Sequence, residues 1–209
     1  MLRKLTVIAA LGFALVSTPA LATPILPSAT GTIAANGSPW PSLTGHHFHF
    51  GMVNAGEMGV EEERGIVEFN LAAQGAAGSV LLTFDNVRYL TCCVGITGGN
   101  YLIGIYSYTG NNASDLSDFQ APGTFIGSFS TAGLTIGTSF SFDVTSAFNA
   151  HAGGSLGFRL QAISDPSDTS YTFGNFALTT GAAPVPEPGT FLLLGTGLAA
   201  AVVRLRRRT

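Results

Sequence analysis

Basic residues are scarce in this sequence, and most of them lie at its two ends. Lys4 is the only lysine, and six of the nine basic residues fall before residue 23 or after residue 203. Residues 23–183 keep three arginines against eleven carboxylates, an excess of eight negative charges. Because such a surface repels phosphate backbones and anionic lipids, it argues against nucleic acid as a partner.

Cysteine is equally scarce, since Cys92 and Cys93 are the only two and they are neighbours. This count excludes a framework of disulfides that staples distant segments together. A bond between the two would be a vicinal disulfide, which requires a strained peptide. An intermolecular bond and a pair of buried thiols are the alternatives.

Long stretches with helical periodicity are missing, which argues against helical bundles and parallel α/β folds. Segments of alternating apolar and polar residues take their place, for example at 45–53, 65–71 and 101–108. The composition is rich in Gly, Ser, Thr and Phe. We therefore expect an all-β domain over 45–180, a jelly-roll-like β-sandwich of about eight strands, after a Pro/Gly-rich lead-in at 23–44.

The first 22 residues have the composition of a secretory signal peptide. Arg3 and Lys4 precede an apolar run at 5–16, and a small-x-small site ends at Ala22. This order predicts a signal helix that is cleaved between Ala22 and Thr23, and therefore export through the inner membrane.

The last 25 residues form a second targeting segment, which follows a linker at 181–184. An uncharged run at 190–203 predicts a transmembrane helix, although a full span needs about 20 residues. The arginines that follow would stop transfer at the cytoplasmic face and anchor the chain transiently. The segment begins with Val185, Pro186, Glu187 and Pro188 and ends with Arg204, Arg206, Arg207 and Arg208.

This three-part arrangement over 185–208 resembles the PEP-CTERM sorting signal of Gram-negative bacteria. The resemblance implies recognition by an exosortase, a membrane-embedded cysteine transpeptidase, and processing near the Pro-Glu-Pro motif. It also implies export in company with exopolysaccharide, to the cell surface or the extracellular matrix. The mature protein is then expected to lack residues 192–209.

A second resemblance covers about residues 63–177. The order of motifs is similar to that of extracellular jelly-roll modules of the DNRLRE and carbohydrate-binding type. Such modules bind sugars or act as spacers, and by analogy some hold a structural calcium ion. The segments that carry the resemblance are 63–71, 79–84, 101–106, 142–149 and 156–160.

Two groups of residues are candidate metal ligands. His47 and His49 would project from one face of a strand, and neutral imidazole is a common ligand. Carboxylates are the ligands that calcium prefers, but no EF-hand pattern is present. The alternatives are a solvated strand face and a solubilising acidic loop. The candidate calcium ligands are Glu61 and Glu63 in one acidic run, and Asp165 and Asp168 in another.

Three tyrosines are candidate sugar contacts, because aromatic rings on a sheet face can stack on sugar rings. They are Tyr101, Tyr106 and Tyr108. Ordinary core or rim packing is the alternative. A G-x-S-x-G match at 153–157 lacks a histidine after Ser155, so it predicts a turn and not a nucleophile elbow.

These observations together favour an exported, non-catalytic protein that binds or organises exopolysaccharide and needs no cofactor. The first alternative is a polysaccharide hydrolase or lyase that uses paired carboxylates or the histidines. The second is a purely structural surface protein without glycan specificity.

Overall fold

The computed structural model describes residues 23–36, 47–58, 61–91, 99–164 and 169–181. The predicted signal helix and the sorting tail lie outside these residues. So do Cys92, Cys93, Asp165 and Asp168.

The described chain consists of ten strands and two short helices. The first five strands are β1 (Ala29–Asn36), β2 (His47–Phe50), β3 (Val53–Met58), β4 (Glu61–Asn70) and β5 (Ser79–Thr91). The others are β6 (Leu102–Thr109), β7 (Thr124–Ser130), β8 (Ser139–Asp143), β9 (Ser155–Ala162) and β10 (Thr169–Gly181). Helix α1 (Leu116–Phe119) precedes β7, and helix α2 (Thr145–Ala150) precedes β9. In the described part of the chain, no helix has the length and hydrophobicity needed to cross a membrane.

All ten strands join one antiparallel sheet that branches at β4. The main path runs β7-β6-β9-β4-β3-β10-β5-β8, and β1 pairs with β4 and with β2. One part of β4 pairs with β3 and the following part pairs with β9, so these two strands share one edge of β4. Gly65 lies at the branch point, where a Cβ atom would come within 2.6 Å of the Val53 side chain.

The sheet has two arms, one formed by β4, β9, β6 and β7 and the other by β3, β10, β5 and β8. The main core lies between these two arms. Phe69 and Phe158 contribute from one arm, and Leu82 and Phe84 from the other. The two ends of the path, β7 and β8, meet through aromatic side chains, with the Phe129 and Phe140 ring centroids 4.2 Å apart. The sheet therefore curls until it almost closes on itself.

A second, smaller core covers the outer face of β4. It contains Ile33, Ala35, Ile66 and Phe119, all fully buried. Phe119 comes from helix α1, so this core holds the segment around α1 against the outside of the sheet.

The all-β prediction is confirmed, with ten described strands instead of about eight. Gly51 adopts a φ of 78° and separates β2 from β3 within a stretch expected to be a single strand. The acidic run that contains Glu61 and Glu63, for which a solubilising loop was one alternative, lies in β4, where residues 61–63 pair with β3. Strand β1 lies within the Pro/Gly-rich lead-in and pairs along β4 from Glu61 to Glu68.

Candidate functional site on the outer face of the sheet

The outer faces of β4, β9 and β6 carry a row of polar side chains. Because side chains alternate along a strand, the burial of Val67 and Phe69 in the main core places Glu68 on the opposite face. The register sets Glu68 beside Gly157, and Gly157 beside Tyr108. Two residues further along β9, on the same face, Arg159 lies beside Tyr106. Residues 110–121, here called the covering segment, fold back over this row.

Glu68 is a fully buried carboxylate that holds the start of the covering segment. Its Oε1 accepts a hydrogen bond from the Tyr108 hydroxyl at 3.0 Å. Its Oε2 accepts from the backbone N–H groups of Asn111 at 2.9 Å and Ala113 at 3.2 Å. These donors replace the water that a carboxylate loses on burial.

Asp118 brings a second carboxyl group to the same place. It occupies the third position of helix α1 and accepts from the Asp115 backbone N–H at 2.8 Å, which completes a capping box. Like Glu68, the Asp118 side chain is almost fully buried, with 2% exposure. Burial, together with the charges of Glu68 and Asp115, raises the pKa of Asp118 to about 7. Burial likewise raises the pKa of Tyr108 far above its usual range. Glu68, Tyr108 and Asp118 are here called the carboxylate cluster.

Two arginines fix the rest of the covering segment. Arg159 donates from Nη1 to the backbone oxygens of Asp118 at 3.0 Å and Ala121 at 2.8 Å. Burial, followed by the neighbouring charge of Arg64, lowers the pKa of Arg159. Arg64 donates to the Phe119 backbone oxygen and stacks 4.0 Å above the Phe119 ring.

Arg64 is itself held by Glu62 through two hydrogen bonds, of 2.8 Å from Nε and 3.1 Å from Nη2. Such a bidentate pair fixes the guanidinium plane. The covering segment is thus attached at both ends to side chains that rise from the sheet.

An apolar strip lies beside the covering segment on the same face. The Tyr106 and Phe125 rings meet edge to face with centroids 5.4 Å apart, and Phe125 is 53% exposed. Gly104 leaves room beneath Ile163 and Tyr106, since a Cβ atom there would lie within 3.0 Å of both side chains. Leu102 and Ile163 are also exposed. Leu102, Tyr106, Phe125 and Ile163 are here called the aromatic strip.

A cleft of about 380 Å³ opens elsewhere, where β10 is irregular. Its lining includes Leu26, Thr30 and Phe173 and has no charged side chain. Asn175, also in the lining, has a φ of 56° and donates to the Asp85 carboxylate at 2.8 Å.

The three tyrosines predicted to stack on sugars occupy different environments. Tyr101 and Tyr108 are only 2% and 3% exposed, so neither offers a ring face to a sugar in this conformation. The Tyr101 hydroxyl instead donates to the Ala55 backbone oxygen at 2.8 Å. Tyr106 is partly exposed and belongs to the aromatic strip.

Phe125 was not among the predicted contacts, and a β-bulge explains why. The register sets Tyr106 opposite Phe125 but Ile105 opposite Gly127, so Ile126 is an extra residue in β7. The bulge places Phe125 on the outer face, whereas Phe129 packs against the core. Simple alternation puts Phe125 and Phe129 on the same side, and nothing in the sequence marks the extra residue.

The predicted metal ligands are not brought together in the described part of the chain, where no group of three His, Cys, Asp or Glu residues could hold a metal ion. The backbones of His47 and His49 pair with β1, and the side chains of both histidines lie outside what the structure describes. Glu63 is buried on β4, with Asn54 Nδ2 at 3.4 Å, and Glu61 is partly exposed. Metal binding by these residues stays a prediction.

Comparison with known proteins identifies the C-terminal segment. Residues 184–208 match the PEP-CTERM protein-sorting motif, as the sequence predicted. No curated protein matches the chain. The motif implies processing by an exosortase, secretion, and a surface or extracellular location.

Proposed function

We propose that this chain is an exported protein whose β domain binds or organises exopolysaccharide outside the cell without catalysing a reaction. The match of residues 184–208 to the PEP-CTERM sorting motif supports the proposal, because it implies secretion to a surface or extracellular location, where a protein can meet exopolysaccharide. The acidic composition of the domain is compatible with neutral glycans and unfavourable for anionic ones.

The aromatic strip is the surface that we propose for sugar binding. Pyranose rings have apolar faces edged by hydroxyl groups, and aromatic side chains supply flat apolar area for them. Phe125 and Tyr106 provide that area, and Ser128 and Ser130 lie beside it on exposed positions of β7. Ser128 pairs with Gly104 on β6, and Ser130 pairs with Leu102. The strip and these two serines therefore combine apolar and hydroxyl groups, as a neutral sugar does.

The carboxylate cluster supports the non-catalytic part of the proposal. Glycoside hydrolysis requires two carboxyl groups that reach the substrate from both sides of the scissile bond. Glu68 and Asp118 are 0% and 2% exposed, and their hydrogen bonds hold the covering segment. In this closed arrangement a polysaccharide has no access to them.

The proposal also includes a jelly-roll-type architecture. Its support is the position of the main core between two arms that share β4. No cofactor is part of the proposal, and a structural calcium ion enters only as an outcome of the experiment below.

Binding of the mature protein to the exopolysaccharide of the cells that produce it tests the proposal. Because one aromatic contact with a sugar is worth about 1 kcal/mol, Phe125→Ala should weaken binding about fivefold to tenfold. Ile136→Ala is the matched control, since Ile136 is 61% exposed and lies in the loop between β7 and β8, outside the aromatic strip as defined above. It should bind like the wild type.

Soluble products are scored in the same samples, with and without EDTA. Product release that disappears on His47→Ala would favour the polysaccharide-active enzyme. Loss of binding in EDTA would add a metal ion to the proposal. Absence of binding by the wild-type protein would overturn glycan binding and leave a structural surface protein, for which self-association without sugar is expected.

A further inference from the structure

The side chain of Gln161 lies beside the aromatic strip, on the same outer face of the sheet. Its neighbour Leu160 is fully buried in the main core, and side chains alternate along a strand, so Gln161 points to the opposite face. The Gln161 backbone pairs with Gly104 on β6. The side chains of Ile163 and Tyr106 lie directly over that glycine. The amide of Gln161 therefore borders the apolar surface that is proposed above for sugars.

A hydrogen bond from Arg159 determines which end of the Gln161 amide faces a ligand. Arg159 Nε donates to Gln161 Oε1 at 2.8 Å, so the amide oxygen is engaged and the two N–H groups of Nε2 remain. No other hydrogen bond to this amide occurs between described residues. The guanidinium group is itself fixed, because its Nη1 donates to the backbone oxygens of Asp118 and Ala121. Gln161 thus presents hydrogen-bond donors in a fixed orientation.

Exposed aliphatic side chains lie next to these donors. Ile163 and Leu102 are 40% and 42% exposed, and the Ile163 backbone N–H donates to the Leu102 oxygen at 2.8 Å, which holds the two residues side by side. An amide donor beside an aliphatic surface is complementary to a group that joins a carbonyl oxygen to a methyl group. An acetyl group has both parts, whereas a hydroxyl group has the oxygen alone.

We propose that the aromatic strip recognises acetylated neutral sugars, with the Gln161 amide donating to the acetyl carbonyl oxygen and the side chains of Ile163 and Leu102 contacting the acetyl methyl group. Acetamido sugars and sugar acetyl esters share this chemistry. The inference rests on the proposed function of the strip and names the class of sugar that it takes. Uronic acids also supply acceptor oxygens, but the excess of eight negative charges in residues 23–183 disfavours them.

Two neutral oligosaccharides provide the first test, measured by isothermal titration calorimetry of the mature protein. Fully acetylated chitotetraose carries an acetamido group at C2 of each ring, where cellotetraose carries a hydroxyl group. Because the acetyl group adds one hydrogen bond and one buried methyl group, chitotetraose should bind about tenfold more tightly than cellotetraose. Both probes are uncharged, so the acidic surface affects them equally.

The exopolysaccharide of the producing cells provides the second test, before and after treatment with mild alkali. This treatment removes acetyl esters and leaves acetamido groups in place. Weaker binding after the treatment would support the proposal and assign the recognised group as an ester. A preference for chitotetraose over cellotetraose would support it and assign an acetamido group.

Two substitutions of Gln161 connect the preference to its amide. Gln161→Leu keeps the size of the side chain and removes the N–H donors, so the affinity ratio between the acetylated and the plain ligand should fall from about tenfold to about twofold. Gln161→Glu can still accept from Arg159 Nε but has no N–H to donate, and the ratio should fall in the same way. The second variant keeps the test decisive if the first one folds poorly. The ratio is measured within one protein, so a general loss of affinity leaves it unchanged.

Gln74→Leu is the matched control, because Gln74 is half-buried like Gln161 and lies in the loop between β4 and β5, outside the aromatic strip. It should retain the wild-type ratio. The inference would be overturned if the wild type showed no preference in either test, or if both Gln161 variants kept the wild-type ratio.

The outcomes also separate this inference from the proposed function. Tight binding of the native exopolysaccharide without any preference for acetylated ligands would overturn the acetyl inference alone. A preference for chitotetraose without binding of the native exopolysaccharide would support the acetyl inference and overturn that polymer as the ligand.

Discussion

The ring of Tyr108 lies against the backbone of Gly157 on the neighbouring strand, where a Cβ atom would overlap the ring carbons. This contact lets the tyrosine lie flat across the outer face of β9 and reach Glu68 on β4. Gly110 has a similar role, since a Cβ atom there would come within 2.7 Å of the Glu68 carboxylate. The carboxylate cluster therefore depends on positions that have no side chain.

Gly157→Ala should destabilise the domain because the added methyl group displaces the Tyr108 ring. Overpacking of this kind costs about 1–3 kcal/mol. The free energy of unfolding, measured by denaturant titration, checks the size of the effect. The exchange protection of 110–121 should fall with it, since Tyr108 would no longer reach Glu68.

Gly75→Ala is the control for this substitution. Gly75 has no atom within 4 Å of the position that a Cβ would take. Its replacement should leave stability unchanged or raise it by up to about 1 kcal/mol, through the reduced freedom of the unfolded chain. Equal effects of the two substitutions would show that Tyr108 does not depend on Gly157.

Alternation in the sequence was sufficient to predict the faces of the strands that build the site. The alternation at 65–71 sets Val67 and Phe69 opposite Glu68, and the main core contains the first two while Glu68 points outward. The alternation at 101–108 likewise sets Tyr106 opposite Ile105, which is fully buried in the core. These predictions succeed because each strand has one face against a single apolar core.

The burial of the carboxylate cluster could not be predicted in this way. Residues 110–123 have the composition of a polar surface loop, and Glu68 lies on the face of β4 opposite the main core. Burial arises because the loop folds back, with Phe119 inserted beside Ile66. That arrangement depends on contacts between residues about 50 positions apart, which a local pattern does not encode.

Asp143→Asn should reduce stability in a manner that depends on pH. The Asp143 carboxylate accepts from the Thr145 hydroxyl at 2.6 Å and from the Thr145 backbone N–H at 2.9 Å. These bonds lower the pKa of Asp143 below its usual value. The folded state thus favours the ionised form, which contributes stability above the unfolded-state pKa of about 3.9.

Thermal unfolding of the wild type and Asp143→Asn from pH 7 down to pH 2 checks this. The difference in melting temperature should be largest near neutral pH and shrink as the carboxylate becomes protonated in the folded state. The amide of asparagine resembles the neutral acid, so the two proteins should converge at the acid end. A difference that stays constant over this range would contradict the assignment of the bonds to the ionised carboxylate.

The mature protein should begin at Thr23 and end before Leu192. Signal peptidase would remove residues 1–22, and the sorting motif at 184–208 implies exosortase processing near Pro186-Glu187-Pro188. The intact mass of the exported protein measures both ends at once. A product that still contains Arg208 would contradict processing at the motif.

Alanine substitution of Pro186, Glu187 and Pro188 together should leave the tail in place and keep the protein in the membrane fraction. The expected retention follows because the apolar run at 190–203 and the arginines after it would then stay attached. Ala183→Ser, just outside the matched segment, is the control and should be processed like the wild type. Release of the triple variant with a shortened mass would show that processing does not depend on these three residues.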